Sequence, residues 1–190
     1  MQLDCSRLTN SFWILTGIYW AYSSIHLKPV VRKEGSAGRA LHIVIMLIAC
    51  FLLFNGRASV GVLGHRFIPE LWSVCWTGVG LTALGCGFAL WARALLGANW
   101  SGTVTVKQSH ELVHRGPYAM VRHPIYTGLL VAAAGTALEV GEVRGVIAVV
   151  IALAAFFQKT RREEEFLRDH FGAEYAQYSR SVKRLIPFVL

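Results

Sequence analysis

Long uncharged runs alternate with short polar breaks along the chain. Three runs come first: Ser11–Leu27, Leu41–Gly56 and Leu71–Ala92. Each reads as a membrane-crossing helix, a task that takes about 20 apolar residues. The first is rich in aromatics and reaches across if Lys28 and its neighbours snorkel to the interface. Pro29 and the polar stretch VRKEGSAGR end it. The segment Ser59–Gly64 is apolar but short, so it extends the second helix or lies at the interface. Two shorter runs follow, Ile125–Leu138 and Gly145–Phe157, of 14 and 13 residues. They are either two short spans whose ends reach into polar residues, or a hairpin that enters the bilayer and returns. Glu139, Gly141 and Glu142 turn the chain between them. After Phe157 the pattern becomes charged and helical, with Phe166, Leu167, His170 and Phe171 on one face and Gly172 as the expected interruption.

These elements predict an all-α, polytopic integral membrane protein with about five transmembrane helices. The last two form a short helical hairpin, and a C-terminal helical tail follows. Residues 1–98 carry the first three helices and residues 99–190 the remainder, within one structural unit.

Composition supports this class. Only 16% of the residues are charged and 54% are hydrophobic, with a mean hydropathy of +0.46, where a soluble domain carries about 25% charge. The formal charge is +8, but the basic residues cluster beside apolar runs. There they act as a topology signal and attract anionic lipid. No nucleic-acid recognition motif accompanies them, so nucleic acid is set aside as a partner. Of the 19 Lys and Arg residues, 15 fall in the first loop, the third loop and the tail. The other four are Arg7, Arg57, Arg66 and Arg144. The positive-inside rule therefore puts the third loop and the tail together in the cytoplasm and the N-terminus outside. Asp4 spoils the basic region of a signal peptide, so the first run is read as retained. Cys50, Cys75 and Cys86 lie within apolar runs and Cys5 near the start. No pair has metal-ligand spacing, no disulfide framework is implied, and all read as small packing residues. Gly78, Gly80, Gly85 and Gly87 in the third run suit close helix packing in lipid.

Candidate chemistry concentrates in HELVHRGPYAMVRHPIYTG, residues 110–128. Proline is favoured in the first turn of a helix, so Pro124 opens the fourth apolar helix with Arg122 and His123 just outside it. Unpaired N–H groups there suit a carboxylate or phosphate, and Arg122 adds a fixed cation. An interfacial cap touching lipid head groups explains the same residues. Tyr118 follows a Gly-Pro turn and either stacks on a flat ligand or anchors at the interface. Glu163, Glu164 and Glu165 read as a solvated helix face or as acceptors for a ribose or a cation.

Taken in order, the motifs His-x-Leu-Val, Gly-x-Tyr, Arg-His-Pro-x-Tyr-x-Gly, Glu-Glu-x-x-Leu, Phe-Gly-x-x-Tyr-x-x-Tyr and a closing Pro-Phe resemble the isoprenylcysteine carboxyl methyltransferase family and its prokaryotic relatives. The resemblance covers about residues 91–188. It implies methyl transfer from S-adenosyl-L-methionine, leaving S-adenosyl-L-homocysteine, to a lipophilic acceptor within the bilayer. The acceptor would be a carboxylate on an isoprenoid-like or lipid substrate. The resemblance makes residues 99–190 the catalytic region and places the cofactor against Gln108, His110, Glu111, Leu112, Val113, Tyr118, His123, Pro124, Ile125, Tyr126 and Glu163. Arg122, His123 and Glu164 are the candidate catalytic residues. The family's substrate-side arginine falls on Lys159, a departure for which Arg161 or Arg162 can substitute. No metal is expected. An ionised carboxylate needs no general base, whereas an amine or phenol acceptor would need one, with His123 or Glu164 as candidates. Rival readings are a phosphatidylethanolamine N-methyltransferase, a steroid-reductase-like NADPH enzyme and a non-catalytic membrane scaffold. Ile125-Tyr126-Thr127-Gly128 departs from the Asn-Tyr that the reductases favour after the proline.

Overall fold

A computed structural model of the chain describes residues 5–25, 30–33, 36–97, 105–107 and 112–186. The described residues form seven helices, two short strands and two 3-10 turns. Five helices are long: α1 (Cys5–Ser23), α2 (Ser36–Phe54), α3 (Trp72–Leu96), α5 (Pro124–Val140) and α6 (Val143–Phe171). Two short ones, α4 (Pro117–Met120) and α7 (Ala173–Ser181), flank the polar end of the bundle. Helices α3 and α6 are long and apolar enough to cross a membrane, and residues Gly38–Phe54 of α2 and all of α5 are shorter apolar helices.

The five apolar runs and their order match the sequence reading, but several details differ. The first helix starts at Cys5, ahead of its apolar run. The last apolar run does not end the helix it belongs to. α6 continues without a break through 29 residues, so its charged second half is the same rod as its apolar first half. Gly172 stops it as expected, with a φ of 52° that side-chain-bearing residues rarely adopt. The polar loops also hold a two-stranded antiparallel ribbon, β1 (Val30–Lys33) paired with β2 (Thr105–Lys107). Short polar strands between long spans carry no hydrophobic alternation, which is why the sequence did not show them. Ser59–Gly64 ends in a 3-10 turn, Gly61–Gly64.

The bundle is apolar outside and small inside. Ile18, Leu47 and Leu84 are 60–71% exposed, and Leu15, Phe51, Trp72 and Trp91 are also exposed. Alanines are prominent among the buried positions: Ala49, Ala89, Ala92, Ala132, Ala133, Ala137, Ala148, Ala152 and Ala155. In water, such an outer face would associate or precipitate. In lipid it costs nothing, and small residues inside let backbones approach closely.

The tightest seam joins α3 to α5. A Cβ at Gly78 would lie 2.7 Å from the Gly135 carbonyl oxygen, and one at Gly128 would lie 2.6 Å from the Ala89 nitrogen. Thr82 donates to the Ala132 carbonyl at 3.2 Å, and Trp13 of α1 donates to Thr136 at 3.0 Å. Gly78 and Gly85 therefore serve the packing role the sequence suggested. Gly80 and Gly87 do not, since a Cβ at either meets nothing within 4 Å.

Loop contacts separate the two ends of the bundle. At one end β1 meets β2, and Val121 bridges to Lys183, so the first loop, third loop and tail gather there. At the other, Arg66 bridges to Glu142, and the Val143 N–H donates to the His65 carbonyl. Cys5 and Cys75 form a disulfide at this second end, with Cα atoms 6.2 Å apart. This corrects the reading of the cysteines as unpaired. Residues 70 apart in sequence give no spacing signal until the bundle brings α1 beside α3. Cys50 and Cys86 remain free thiols. Arg144, 7% exposed, caps α2 by donating to the Leu52 and Leu53 carbonyls, and it is paired with Glu142 at 2.6 Å.

Two outcomes test this packing. Gly85→Ala is expected to destabilise the purified protein in detergent by about 1–3 kcal/mol through overpacking. Gly80→Ala should leave thermal unfolding unchanged or slightly raised. Alkylation of the denatured, unreduced protein is expected to modify two cysteines, and four after reduction; four before reduction would exclude the disulfide.

Candidate active site

The polar end of the bundle holds a cluster of charges built from three segments. The first is the turn into α5. Pro124 occupies the first helical position with His123 as the N-cap, as proline's fixed φ dictates. The second is the charged half of α6, which begins one turn beyond the apolar run. The third is the short strap after α7, residues 182–186.

Glu164 is the centre. It is 2% exposed and accepts hydrogen bonds from three cationic side chains. Arg122 Nε donates to Oε1 at 2.9 Å. Arg184 donates from Nε to Oε1 at 2.9 Å and from Nη2 to Oε2 at 2.7 Å. His123 Nε2 lies 3.2 Å from Oε1. Arg122 also donates to the carbonyls of Ser179 and Val182, which ties α7 into the cluster. Glu163 is the outer carboxylate. Tyr126 donates its hydroxyl to Oε1 at 2.6 Å, and His123 Nδ1 lies 3.4 Å from Oε2. Its side chain is 18% exposed against 3% for Glu164. The two neighbouring glutamates therefore differ: one is enclosed by cations, and the other is partly exposed.

Both ring nitrogens of His123 point at carboxylates, an arrangement that favours the doubly protonated imidazolium. Burial alone would draw the imidazole toward neutrality, but its hydrogen bonds to Glu163 and Glu164 outweigh that and raise it above the ordinary 6.5. Burial likewise opposes ionisation of the two carboxyls. The bonds from His123 and Arg184 reverse this for Glu164 and hold it far below the ordinary range. His123 and then Lys159 lower Glu163. In this arrangement neither His123 nor Glu164 has a free lone pair aimed at an incoming acceptor.

An aromatic column leads inward from the charges. The Tyr126 ring stacks between His123, at 5.9 Å, and Phe156, at 4.8 Å. Lys159 Nζ lies 5.5 Å from the Tyr126 centroid. Val113, Tyr118 and Ile125 pack with Ala92, and Val113 thereby joins the third loop to the bundle. Tyr118 is a packed residue. Its hydroxyl donates to the Ala92 carbonyl at 3.4 Å, and its carbonyl accepts from Tyr178 at 2.6 Å.

The structure thus brings together Tyr118, Arg122, His123, Pro124, Ile125, Tyr126, Lys159, Glu163 and Glu164. Leu112 and Val113 are half-buried just before α4, and Arg162 is half-buried one position before Glu163. Gln108, His110 and Glu111 lie outside the described residues. Sequence reading overlooked Arg184, which it counted only as a topology charge, and Arg93. Arg93 is 1% exposed and joins the ends of α1 and α3 by donating to the carbonyls of Ser23 and Gly97. A signal for Arg184 existed: an arginine just before the closing apolar segment of the chain. Tyr175 and Tyr178 share one face of α7 by their spacing of three, and Tyr175 is 1% exposed. Among the described residues, no group of three or more His, Cys, Asp or Glu side chains could hold a metal ion.

The charge network sets a pH window. Glu164, whose folded value is depressed, contributes stability above about 4.5 that is lost as pH falls through its folded value. His123, whose folded value is raised, contributes fully below 6.5, and its share is lost as pH rises through its folded value. Removing one partner from a buried pair costs about 3–5 kcal/mol. Equilibrium unfolding in mixed micelles is therefore expected to show that loss for Glu164→Gln, largest between those two values. The exposed neighbour substitution Glu165→Gln should change stability little.

The sequence profile of the phospholipid methyltransferase family matches residues 73–174. Over 125 residues the chain is 30% identical to the probable protein-S-isoprenylcysteine O-methyltransferase of Oryza sativa, covering 64% of this chain and 65% of the rice protein. It is 33% identical over 129 residues to protein-S-isoprenylcysteine O-methyltransferase B of Arabidopsis thaliana, covering 65% and 66% of the two chains. It is 33% identical over 133 residues to the Homo sapiens protein-S-isoprenylcysteine O-methyltransferase, covering 67% of this chain and 47% of that one. These matches span about two thirds or less of the relatives' own length. The fold is similar to that of the eukaryotic intramembrane Ras methyltransferase, isoprenylcysteine carboxyl methyltransferase. The TM-score is 0.52 at 23% identity, over 82% of this chain and 54% of that one. The profile match spans α3, the turn into α5 and the glutamate pair of α6, and by it the chain belongs to the phospholipid methyltransferase family, among whose members its similar sequences are isoprenylcysteine O-methyltransferases.

Proposed function

We propose that the protein is an integral membrane methyltransferase that uses S-adenosyl-L-methionine to methylate a carboxylate on a lipophilic, isoprenoid-like or lipid acceptor. The observation that carries the carboxylate is the state of His123 and Glu164. Both are committed to the buried charge network, so neither of these two residues offers a general base to an acceptor, and an ionised carboxylate needs none. A phospholipid amine, the reading that the family's description favours, would have to lose a proton to a group this cluster does not offer.

The donor set fits the cofactor. The outward carboxylate of Glu163 suits a ribose or an ammonium group, Lys159 suits a carboxylate, and Tyr126 offers an aromatic face. Leu112, Val113, Tyr118, Pro124 and Ile125 form the apolar wall beside them; Gln108, His110 and Glu111, outside the described residues, are cofactor contacts by the family resemblance alone. When bound, the cofactor supplies an electrophilic methyl on a sulfonium. The residues' own contribution is alignment for an in-line displacement, which supplies much of the rate. Arg122 positions the turn, and Arg162 with Lys159 favours an anionic acceptor. Five helices cross the membrane, the N-terminus lies outside, and the site faces the cytoplasm. The disulfide at the opposite end and the basic loops at this end support that orientation. Residues 1–98 serve as the anchor and 99–190 as the catalytic region.

Purified protein in nanodiscs is expected to bind S-adenosyl-L-homocysteine saturably, with binding weakened at least about tenfold in Glu163→Ala and His123→Ala. Labelled S-adenosylmethionine with native membrane lipids should yield a base-labile methyl ester. An N-methylated phospholipid would replace the carboxylate reading with the amine one. Binding of NADPH in place of the homocysteine would overturn both.

A further inference from the structure

The strap after α7 is held across the functional turn by more than packing. The Arg122 N–H donates to the Lys183 carbonyl at 2.8 Å, and the His123 N–H donates to the Arg184 carbonyl at 3.1 Å. Thr127, one turn into α5, donates its hydroxyl to the Leu185 carbonyl at 2.6 Å. The N–H groups ahead of a helix have no partner within it. Here the strap supplies partners, and Leu185, 2% exposed, seals the contact. The strap then sends Arg184 back to α6, where its guanidinium lies 5.3 Å from the Phe157 ring and grips both oxygens of Glu164.

Among the described residues, Arg184 alone bonds Glu164 Oε2, and it shares Oε1 with Arg122 and His123. A carboxylate gripped this way cannot rotate outward. Without that grip, Glu164 has one oxygen free to compete with Glu163 for His123. The His123 ring would then turn toward the inner carboxylate and leave the outer one less fixed.

We infer that Arg184 is a positioning residue for the cofactor site: through the strap and Glu164 it fixes the Arg122–His123 turn, so that Glu163 rather than Glu164 presents its carboxylate to the ligand. This rests on the methyltransferase reading for the identity of the ligand. It does not rest on it for the coupling between strap and turn. The consequence is that the end of the chain sets affinity at a site formed mainly by the third loop and α6.

The test compares the wild type with Arg184→Gln, Arg184→Lys and Arg180→Gln in nanodiscs. Arg180 is exposed on α7, so its replacement removes the same charge without touching Glu164. Binding of S-adenosyl-L-homocysteine and the thermal midpoint are each measured from pH 2 to 8, a range that reaches below the ordinary carboxyl value where Glu164 takes up its proton. Arg184→Gln is expected to weaken binding about tenfold at neutral pH. It should also move the acid limb of both profiles upward by about one pH unit, because Glu164 loses a cation. Arg184→Lys should restore the acid limb in part, since a point charge replaces a two-pronged grip. Arg180→Gln should match the wild type. If Arg184→Gln behaves as Arg180→Gln does, or lowers the midpoint with affinity and acid limb unchanged, the inference fails. If the wild type binds no S-adenosylhomocysteine, the ligand reading fails, while the acid limb of the thermal profile still decides whether Arg184 acts through Glu164.

Discussion

A single buried carboxylate, Glu164, holds the polar end of this protein together. A carboxylate taken out of water is tolerated only when its oxygens are met by cations and hydrogen bonds. Here those cations come from two separated parts of the chain: Arg122 and His123 from the turn into α5, and Arg184 from the strap. The demand of one anion for partners thus fixes the mutual placement of the turn, the charged half of α6 and the C-terminal segment. Glu163 inherits its position from that arrangement. It sits one residue away on the same helix and shares His123, but it faces outward.

The membrane supplies the complementary constraint. Lipid gives no hydrophobic drive for helix association, so the bundle relies on close backbone contact at Gly78, Gly85, Gly128 and Gly135 and on a few hydroxyl bonds around Thr82 and Thr136. That seam sets α5 against α3 and thereby fixes where the N-terminus of α5 emerges. The unbroken α6 does the same for the glutamates. A rigid rod carries them from the apolar layer into the polar end, so their height above the bilayer is set by helix geometry, at about 1.5 Å per residue. An acceptor that is lipophilic at one end and anionic at the other would meet both layers at Tyr126 and Phe156.

Much of this was legible in the sequence, for physical reasons. Apolar runs announce spans because the bilayer demands them, and Pro124 announces a helix start because its φ is fixed. The positive-inside count grouped the first loop, the third loop and the tail, and the bundle gathers those segments at one end. Other features left no local trace. Cys5 and Cys75 gain meaning only when α1 lies beside α3. The β1–β2 ribbon is too short and polar to show alternation. The division of labour between Glu163 and Glu164 is invisible in a run of three glutamates, because it depends on which face of α6 meets Arg184. Arg184 was read as one more topology charge, since a long-range ion pair cannot be inferred from one sequence.

Glu163, His123, Tyr126 and Lys159 lie together at the polar end, and this group is the proposed cofactor site. Hydrogen–deuterium exchange on the full chain in nanodiscs, with and without S-adenosyl-L-homocysteine, tests this directly. Protection is expected in the segment from Gln108 to Tyr126, the charged half of α6 and the strap through Leu185, with no change near the Cys5–Cys75 end. Protection at the disulfide end, or none in either region at saturating ligand, would contradict it.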